Sequence, residues 1–592
     1  MSKMHFNLSR LLCAAVCAVI AAASCSGGWK AEPIRDDVLY TYTLPAVKDS
    51  SVYDEALMVA CIQGLLNRER PTLYVLDGSN PIPGRWLSIF SSKEGWLSGY
   101  EQVQLPDFES LLRLGLNKVK GIVIWDPAVP ATLNVATLVA GVRSAVVMTP
   151  ELAGKYVPLT GLKVIHDFRG QFTGKETGSP KNDAYRWAIR KYMDKGRCGI
   201  RRICEFEDPF FARKKGDIGY VVTRDWAVAG KCFVYDLSPW GDEAPKDDPG
   251  QVTGTDRETY RMLLESLRKR TAGKSFTECC GFFCFPKYSD QPGYPSAHKD
   301  VETEWENVAL ITPYNVYQNT VASSCYNQTV HSKAPPRRMT QGRPEKGPGP
   351  EAGKTYISIF MADYDSTTPL YDFLLSRSIW EDPARGAIPL LWGINPNLGD
   401  TCPDIMQWLY DTRTPNDWFS ADASCAGYFN PTLIPEESLP LFIEHNRKYY
   451  SEWDMSISPM VLDVKDATDA VKDAFAEFSP DGYSTIVGGR LPDLSPREWK
   501  GLPMTDLIND VFNACDIRDP AEMARRMSAV IPAAEGDTPR YFIYRMVWTN
   551  PGKAVSALEC LKALRPELDI EVLDAYNFFD YLRQTAVQIP IP

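Results

Sequence analysis

Tyr356-Ile357-Ser358-Ile359-Phe360-Met361-Ala362-Asp363-Tyr364-Asp365 is the stretch that decides how the chain is read. It is apolar and rich in strand-favouring residues up to Ala362, then ends in two acids. Side chains alternate along a strand, so Ile357, Ile359 and Met361 are predicted to share a face with Asp363 and Asp365. An apolar face that turns acidic at its carboxyl end is what a (β/α) barrel interior presents when its mouth is an active site.

The pattern recurs downstream. Met455, Ile457, Pro459 and Val461 lead to Asp463, Ile570 and Val572 lead to Asp574, and Asp422 closes the segment 418–422. Strand patterns at 356–365, 388–395, 418–422, 455–463, 484–488, 540–548 and 570–574 alternate with helical ones. That alternation predicts a barrel-like (β/α) domain over 355–592, complete or slightly opened.

Paired carboxylates are what glycosidic bond cleavage requires, one as acid and the other as nucleophile or base. Asp363 and Asp365 are the leading catalytic candidates, with Asp463 or Asp574 as partner across the rim. Any one of these acids could equally cap a helix or close a turn; their recurrence in phase carries the catalytic reading. Aromatic residues crowd the same strand ends, at Tyr364, Trp392, Tyr428, Trp548 and Tyr576, and their flat faces suit stacking on sugar rings. Trp392, Asn395, Asp422, Tyr428 and Trp548 are the expected substrate-binding residues, with Asn550 a further amide for hydroxyls.

Working outward, Pro335, Pro336, Pro344, Pro348 and Pro350 mark 332–354 as a linker that few contacts should cross. Ahead of it, 37–165 alternates strand and helix and predicts an N-terminal α/β domain with a parallel sheet. Residues 166–331 read as a second, less regular α/β region, with a strand expected at 219–223. At the start, Lys3 and Arg10 flank an apolar run, 11–23, that ends in Ala22-Ala23-Ser24-Cys25. The run is shorter than the ~20 residues a bilayer span needs and suits a cleavable export signal. It resembles a bacterial lipobox, in which Cys25 takes a diacylglycerol; Ala22 stands where leucine is usual. Residues 1–25 are thus the expected lipoprotein signal and 26–36 a tether. Ser26 after the cysteine favours the outer membrane, with attachment through the lipid alone.

Composition narrows the rest. A formal charge of -11 argues against nucleic acid, whose binding rests on neutralising phosphates. The histidines form no HxxxH or HExxH pair, and Gly273-Lys274-Ser275 lacks the leading glycine of a phosphate loop. No GxSxG elbow occurs in strand–turn–helix context. Cys279, Cys280 and Cys284 cluster without a histidine at ligand spacing, which reads as buried thiols or one disulfide rather than a metal site. No cofactor is expected.

Ser424-Cys425-Ala426-Gly427-Tyr428-Phe429-Asn430-Pro431 resembles the motif of the GxGYxYP family; Cys425 replaces its first glycine and Asn430 its second tyrosine. Cys61-Ile62-Gln63-Gly64-Leu65-Leu66-Asn67-Arg68 with Pro71, and Gly121–Pro127 with Asn134-Val135-Ala136, resemble the family's amino-terminal segments. Glu304-Trp305-Glu306 fits a third. The resemblance implies an exported glycan-processing protein with a barrel-like carboxyl domain, a carbohydrate substrate and a setting beside glycan-uptake machinery. It carries over no catalytic pair. Gly427 is expected to turn the chain where Tyr428 meets the barrel mouth. Three rivals stand beside a glycoside hydrolase: a non-catalytic carbohydrate-binding lipoprotein, an aspartate-liganded metal-dependent hydrolase or deacetylase, and a structural surface protein with no pocket at the barrel mouth.

Overall fold

The computed structural model describes residues 28–288, 296–319, 325–513, 519–533 and 536–590. Cys25 and the apolar leader lie outside them. The described chain is mixed α/β, with parallel strands throughout except for one short antiparallel pair in the barrel region.

Two three-stranded sheets build the first region. One has the order β2-β1-β3, from β1 (Val38–Leu44), β2 (Leu73–Asp77) and β3 (Glu101–Gln104). The other has the order β5-β4-β6, from β4 (Gly121–Ile124), β5 (Ala145–Met148) and β6 (Val164–Asp167). The helix Ser50–Leu66 is apolar nearly all round, and a helix of that kind is stable only when covered on every side. Gly64 lets a second helix, Arg224–Gly230, approach closely: a Cβ there would lie 2.4 Å from the Asp225 carbonyl.

The second region is a four-stranded sheet of order β10-β9-β7-β8, from β7 (Arg202–Glu205), β8 (Phe233–Tyr235), β9 (Thr277–Gly281) and β10 (Val316–Asn319). The strand expected at 219–223 is a helical turn, Gly219–Val222. Asp217 accepts from the Gly219 amide, and Val221 and Val222 are buried, so local capping and burial override their strand preference. The cysteines among the described residues are free thiols, which removes the disulfide reading of Cys279, Cys280 and Cys284.

The third region is the barrel-like domain. β13 (Asp417–Ser420), β12 (Leu390–Gly393), β11 (Thr355–Ala362), β19 (Arg540–Val547) and β18 (Ile508–Asn513) follow one another in one sheet. β14 (Ile457–Asp463), β15 (Gly482–Val487) and β17 (Leu502–Asp506) follow in the next, edged by β16 (Arg497–Trp499) and β21 (Val587–Gln588). The two sheets meet twice. Only Leu507 separates β17 from β18, and a parallel bridge joins Ala423 to Met460. Seven staves therefore run round the domain, the seventh being the 502–513 strand that Pro503 disguised in the sequence.

β20 (Ile570–Val572), expected to be a stave, pairs only with Thr355–Ile357 at the amino end of β11. The helix that follows it, Ala575–Thr585, places Phe578, Phe579 and Tyr581 in one apolar cluster with Tyr356, Phe360, Leu391, Ile457, Leu507 and Ile543. This cluster is the barrel interior. It takes the Tyr356, Phe360, Ala362 face of β11, whereas Ile357, Ile359 and Met361 join the larger cluster shared with the outer helices and the first region. The predicted face of β11 is thus inverted: both faces are apolar, and alternation alone does not say which one the aromatic plug selects.

The 332–354 segment is a fixed strap and not a loose linker. Gln341 donates to the Phe419 and Asp454 carbonyls, Arg337 pairs with Asp411, and the Gly347 amide donates to Asn577. Its prolines rule out regular strands, and side chains supply the hydrogen bonds instead.

Glu205, at the end of β7, is fully buried. Its Oε2 accepts from Asn307 Nδ2 at 3.1 Å, and its Oε1 has no partner. Burial, with a smaller push from Asp236, raises its pKa to about 8. An unfolded glutamate releases its proton near ~4.3, so between that value and about 8 the native state binds more protons and stability falls as pH rises. Glu205→Gln is expected to leave thermal stability near wild type at pH ~5 and to raise it at pH ~8. Calorimetry at the two pH values checks this; an unchanged difference between them refutes it.

Candidate active site

The carboxyl end of β11 carries a local distortion. Asp363 has φ +69° and Trp548, beyond the end of β19, has φ +47°, both in the left-handed region that non-glycine residues rarely enter. Ala362 and Val547 are register partners, so the two distorted residues lie side by side, and Trp548 Nε1 donates to the Asp363 carbonyl at 2.8 Å. Strain of this kind persists only where surrounding contacts over-determine it.

Asp422 supplies the main contact. Its Oδ2 accepts from the Asp363 amide at 2.6 Å and from the Tyr364 amide at 3.0 Å. Asp422 is 0 % exposed, and its own amide donates to Asn395 Oδ1. Burial, then the charges of Asp365 and Asp363, push its carboxyl well above the usual range. The turn aims Asp363 at the barrel mouth, although strand alternation from Ile357 would have placed it outside. There Arg545 donates to its Oδ1 from Nε at 3.2 Å and from Nη2 at 2.5 Å, while Nη1 holds Asn509.

The mouth opens into a pocket of about 530 Å³. The barrel contributes Asp363, Asp365, Ala423, Met460, Leu462, Arg545 and Trp548; the second region contributes Glu207, Phe211, Lys215, Asp217, Phe282, Phe285 and Glu304. The carboxyl ends of the barrel strands and of β7 and β9 therefore face each other across one cavity. This is where ligands bind in both parallel-sheet architectures.

Glu304 lies on the helix Asp300–Ile311, whose inner face carries Thr303, Asn307, Val308 and Ile311 at helical spacing. Asn307 fixes that face to the second sheet by donating to Glu205 and to Gln318 Oε1, and it accepts from Tyr260. Val308 and Trp305 pack onto the barrel interior cluster. Held between the two, Glu304 faces the barrel acids. Burial first, then the charge of Asp365 and then that of Asp363, raise its pKa to about 8, with Arg545 opposing. That shift favours the protonated form of Glu304 at neutral pH.

Of the catalytic candidates, Asp363 and Asp365 reach the pocket and the other two do not. Asp463 accepts from the Thr432 amide and hydroxyl and the Val464 amide, pinning the loop after the GxGYxYP-like motif. Asp574 caps the helix Ala575–Thr585, accepting from the Asn577 amide, because its strand sits at the amino end of the domain. Among the binding candidates Trp548 lines the pocket. Trp392 is core, its Nε1 donating to Asp417. Asn395 bridges Ala423 and Asp422, and Asp422 supports the turn. Gly427 does turn tightly, at φ +109°, where a Cβ would strike the Tyr317 ring at 2.3 Å. Tyr428 after it is fully buried, exchanging backbone hydrogen bonds with Gln318.

Glu304 lies on a helix outside the barrel sequence, so the strand pattern does not single it out. Its signal was the Glu-Trp-Glu triplet, legible only as a resemblance.

The one group of three carboxylates among the described residues whose oxygens lie within 4.8 Å of one another is Asp208, Asp236 and Asp247. Two lysines already serve it. Lys287 pairs with Asp236 at 2.7 Å and Asp247 at 3.1 Å, and Lys181 pairs with Asp247 at 2.6 Å and Asp256 at 2.8 Å. The two lysines pair with Asp236, Asp247 and Asp256 in a buried network, while Asp208 accepts from the Phe210 amide and has no lysine partner among these pairs.

Two family profiles match the chain: "GxGYxYP putative glycoside hydrolase C-terminal domain" over residues 353–583, and "GxGYxYP_N second domain" over 119–196. A solved structure described as a putative hydrolase from Bacteroides thetaiotaomicron is 15% identical, covers 94% of this chain and 96% of its own, and superposes with a TM-score of 0.70, so the two share a fold. A putative polysaccharide deacetylase from Mycobacterium smegmatis is 11% identical over 43% of this chain and 98% of its own, with a TM-score of 0.27. A CE4-family pseudoenzyme from Bacillus anthracis is 10% identical over 42% of this chain and 70% of its own, with a TM-score of 0.23. Neither of those two scores defines a shared fold. No curated protein matches.

Replacing Asp422 with alanine leaves the Asp363 and Tyr364 amides without their acceptor, at a cost of about 1–3 kcal/mol for each buried group. Asp422→Ala is therefore expected to lower the denaturation midpoint clearly, and to lose the Asp363–Arg545 pair in a crystal structure. An unaltered turn with unaltered stability would show that Asp422 does not hold it.

Proposed function

The chain belongs to the GxGYxYP family, and on that premise we propose that it is a glycoside hydrolase with Glu304 as general acid and Asp365 as nucleophile or base. The observation that carries this reading is three carboxyl groups, Glu304, Asp363 and Asp365, lining a single pocket, with burial and the two aspartate charges raising the Glu304 pKa to about 8. Asp365 is preferred over Asp363 because its charge is the larger of the two in raising the Glu304 pKa. Glu304 gives its proton to the glycosidic oxygen as the bond to the anomeric carbon breaks. Asp365 meets the positive charge that develops there, by direct attack or by taking a proton from the attacking water. Arg545 holds Asp363 in place, and Trp548 offers its ring as a platform for the sugar.

Glu304→Gln is expected to lower turnover by ~10²–10⁴ on natural glycans, and by much less on aryl glycosides whose leaving group needs no proton. Equal losses on both would sink the assignment. The alkaline limb of kcat/KM should fall near pH 8, where Glu304 ionises.

The protein is further proposed to be an outer-membrane lipoprotein held through Cys25, placing the pocket near extracytoplasmic glycans and their uptake machinery. The apolar leader ending in Ala-Ala-Ser-Cys supports this. Cys25→Ala is expected to abolish incorporation of labelled palmitate and release the protein from membranes; palmitate labelling that survives the change refutes it.

A further inference from the structure

The second region supplies more to the pocket than Glu304. Glu207 follows β7 and is only 2 % exposed, yet it lines the cavity, and its buried Oε1 has no hydrogen-bond partner. Leaving a buried carboxyl oxygen unpaired costs free energy, so the Glu207 carboxyl at the cavity wall keeps hydrogen-bonding capacity that the protein does not use. The loop beyond it is held firmly. Arg213 makes a two-pronged pair with Asp54 of the helix Ser50–Leu66, at 2.9 and 2.7 Å. Gly216 lies so close to the 48–49 backbone that a Cβ would sit 2.3 Å from the Asp49 amide. Loop and sheet edge together present Glu207, Lys215, Asp217, Phe282 and Phe285 opposite the catalytic rim.

We propose that this face of the second region is the sugar-selecting half of the site, that Glu207 hydrogen-bonds a sugar hydroxyl there, and that the substrate is a glycan segment without acidic groups. The proposal rests on the glycoside hydrolase reading and names its substrate class. Phe282 and Phe285 suit the apolar faces of a pyranose. An acidic sugar would bring its carboxylate toward three acids, Asp217, Asp363 and Asp365, in a cavity whose lining cations are Arg545, which already serves Asp363, and Lys215. Juxtaposing like charges selects against such a ligand. Burial and the charges of Asp236 and Asp208 also favour the protonated form of Glu207, a donor suited to a hydroxyl oxygen.

The test titrates glucose, galactose and mannose, and their uronic acids, into the full chain by ligand-observed NMR, with Glu207→Ala and Glu207→Gln alongside. At least one neutral sugar is expected to bind, and its uronate roughly tenfold more weakly or not at all. Glu207→Ala should weaken the neutral sugar roughly tenfold, the equivalent of one lost hydrogen bond. Glu207→Gln should stay close to wild type, and neither variant should lower thermal stability, since the side chain has no protein partner to lose. Absence of binding by every neutral sugar, equal binding of a uronate, or unchanged affinity in Glu207→Ala each overturns the proposal. Binding is read without turnover, so an active Glu304→Gln enzyme would defeat the catalytic assignment while leaving this one standing.

Discussion

The site depends on one buried carboxyl oxygen that accepts hydrogen bonds from two backbone amides. Asp422 Oδ2 accepts from both Asp363 and Tyr364, and that pair of hydrogen bonds holds a non-glycine residue at φ +69°. Without the turn, β11 would deliver Asp363 to the helix layer, because the strand's other face fills the barrel. With it, Asp363 meets Arg545 and Asp365 joins it in the pocket. Trp548 shares the distortion and ties it down through the Asp363 carbonyl. The cost of two left-handed residues is thus concentrated where the barrel must depart from regular alternation.

Three regions cooperate on this one cavity. The first supplies Asp54, which grips the loop of the second. The second supplies Glu207 and Glu304 from the carboxyl edge of its own sheet, and the third supplies the acidic rim. Asn307 couples them: it anchors the Glu304 helix to β7 and β10 while Val308, its neighbour, packs on the barrel interior. A single apolar cluster extends from Val38 to Ile570, and Trp86 of the first region donates to the Tyr371 carbonyl of the third, so the parts are held as one body.

Much of this architecture is legible in the sequence, because period and strand length carry it: most parallel strands, the acidic end of β11 and the family resemblance are all visible there. Which face of β11 looks inward is not, since both faces are apolar and the choice is made by aromatic residues of a helix more than 200 positions away. Pro503 masks the seventh stave in the sequence and 570–572 reads as a stave in its place, so Asp574 reads as a rim acid although it caps a helix. Glu304 was beyond reach for a further reason. The pKa of a buried carboxyl is set by its neighbours, and the leading charges acting on Glu304 come from a different region of the chain.

The central claim is that Glu304 is a proton-bearing carboxyl at neutral pH, sharing one pocket with Asp363 and Asp365. The most direct measurement is difference infrared spectroscopy of the carboxyl stretch against pH, comparing wild type with Glu304→Gln to isolate that residue. The account predicts a Glu304 midpoint near pH 8. A midpoint near ~4.3, the value of an unperturbed glutamate, would contradict it.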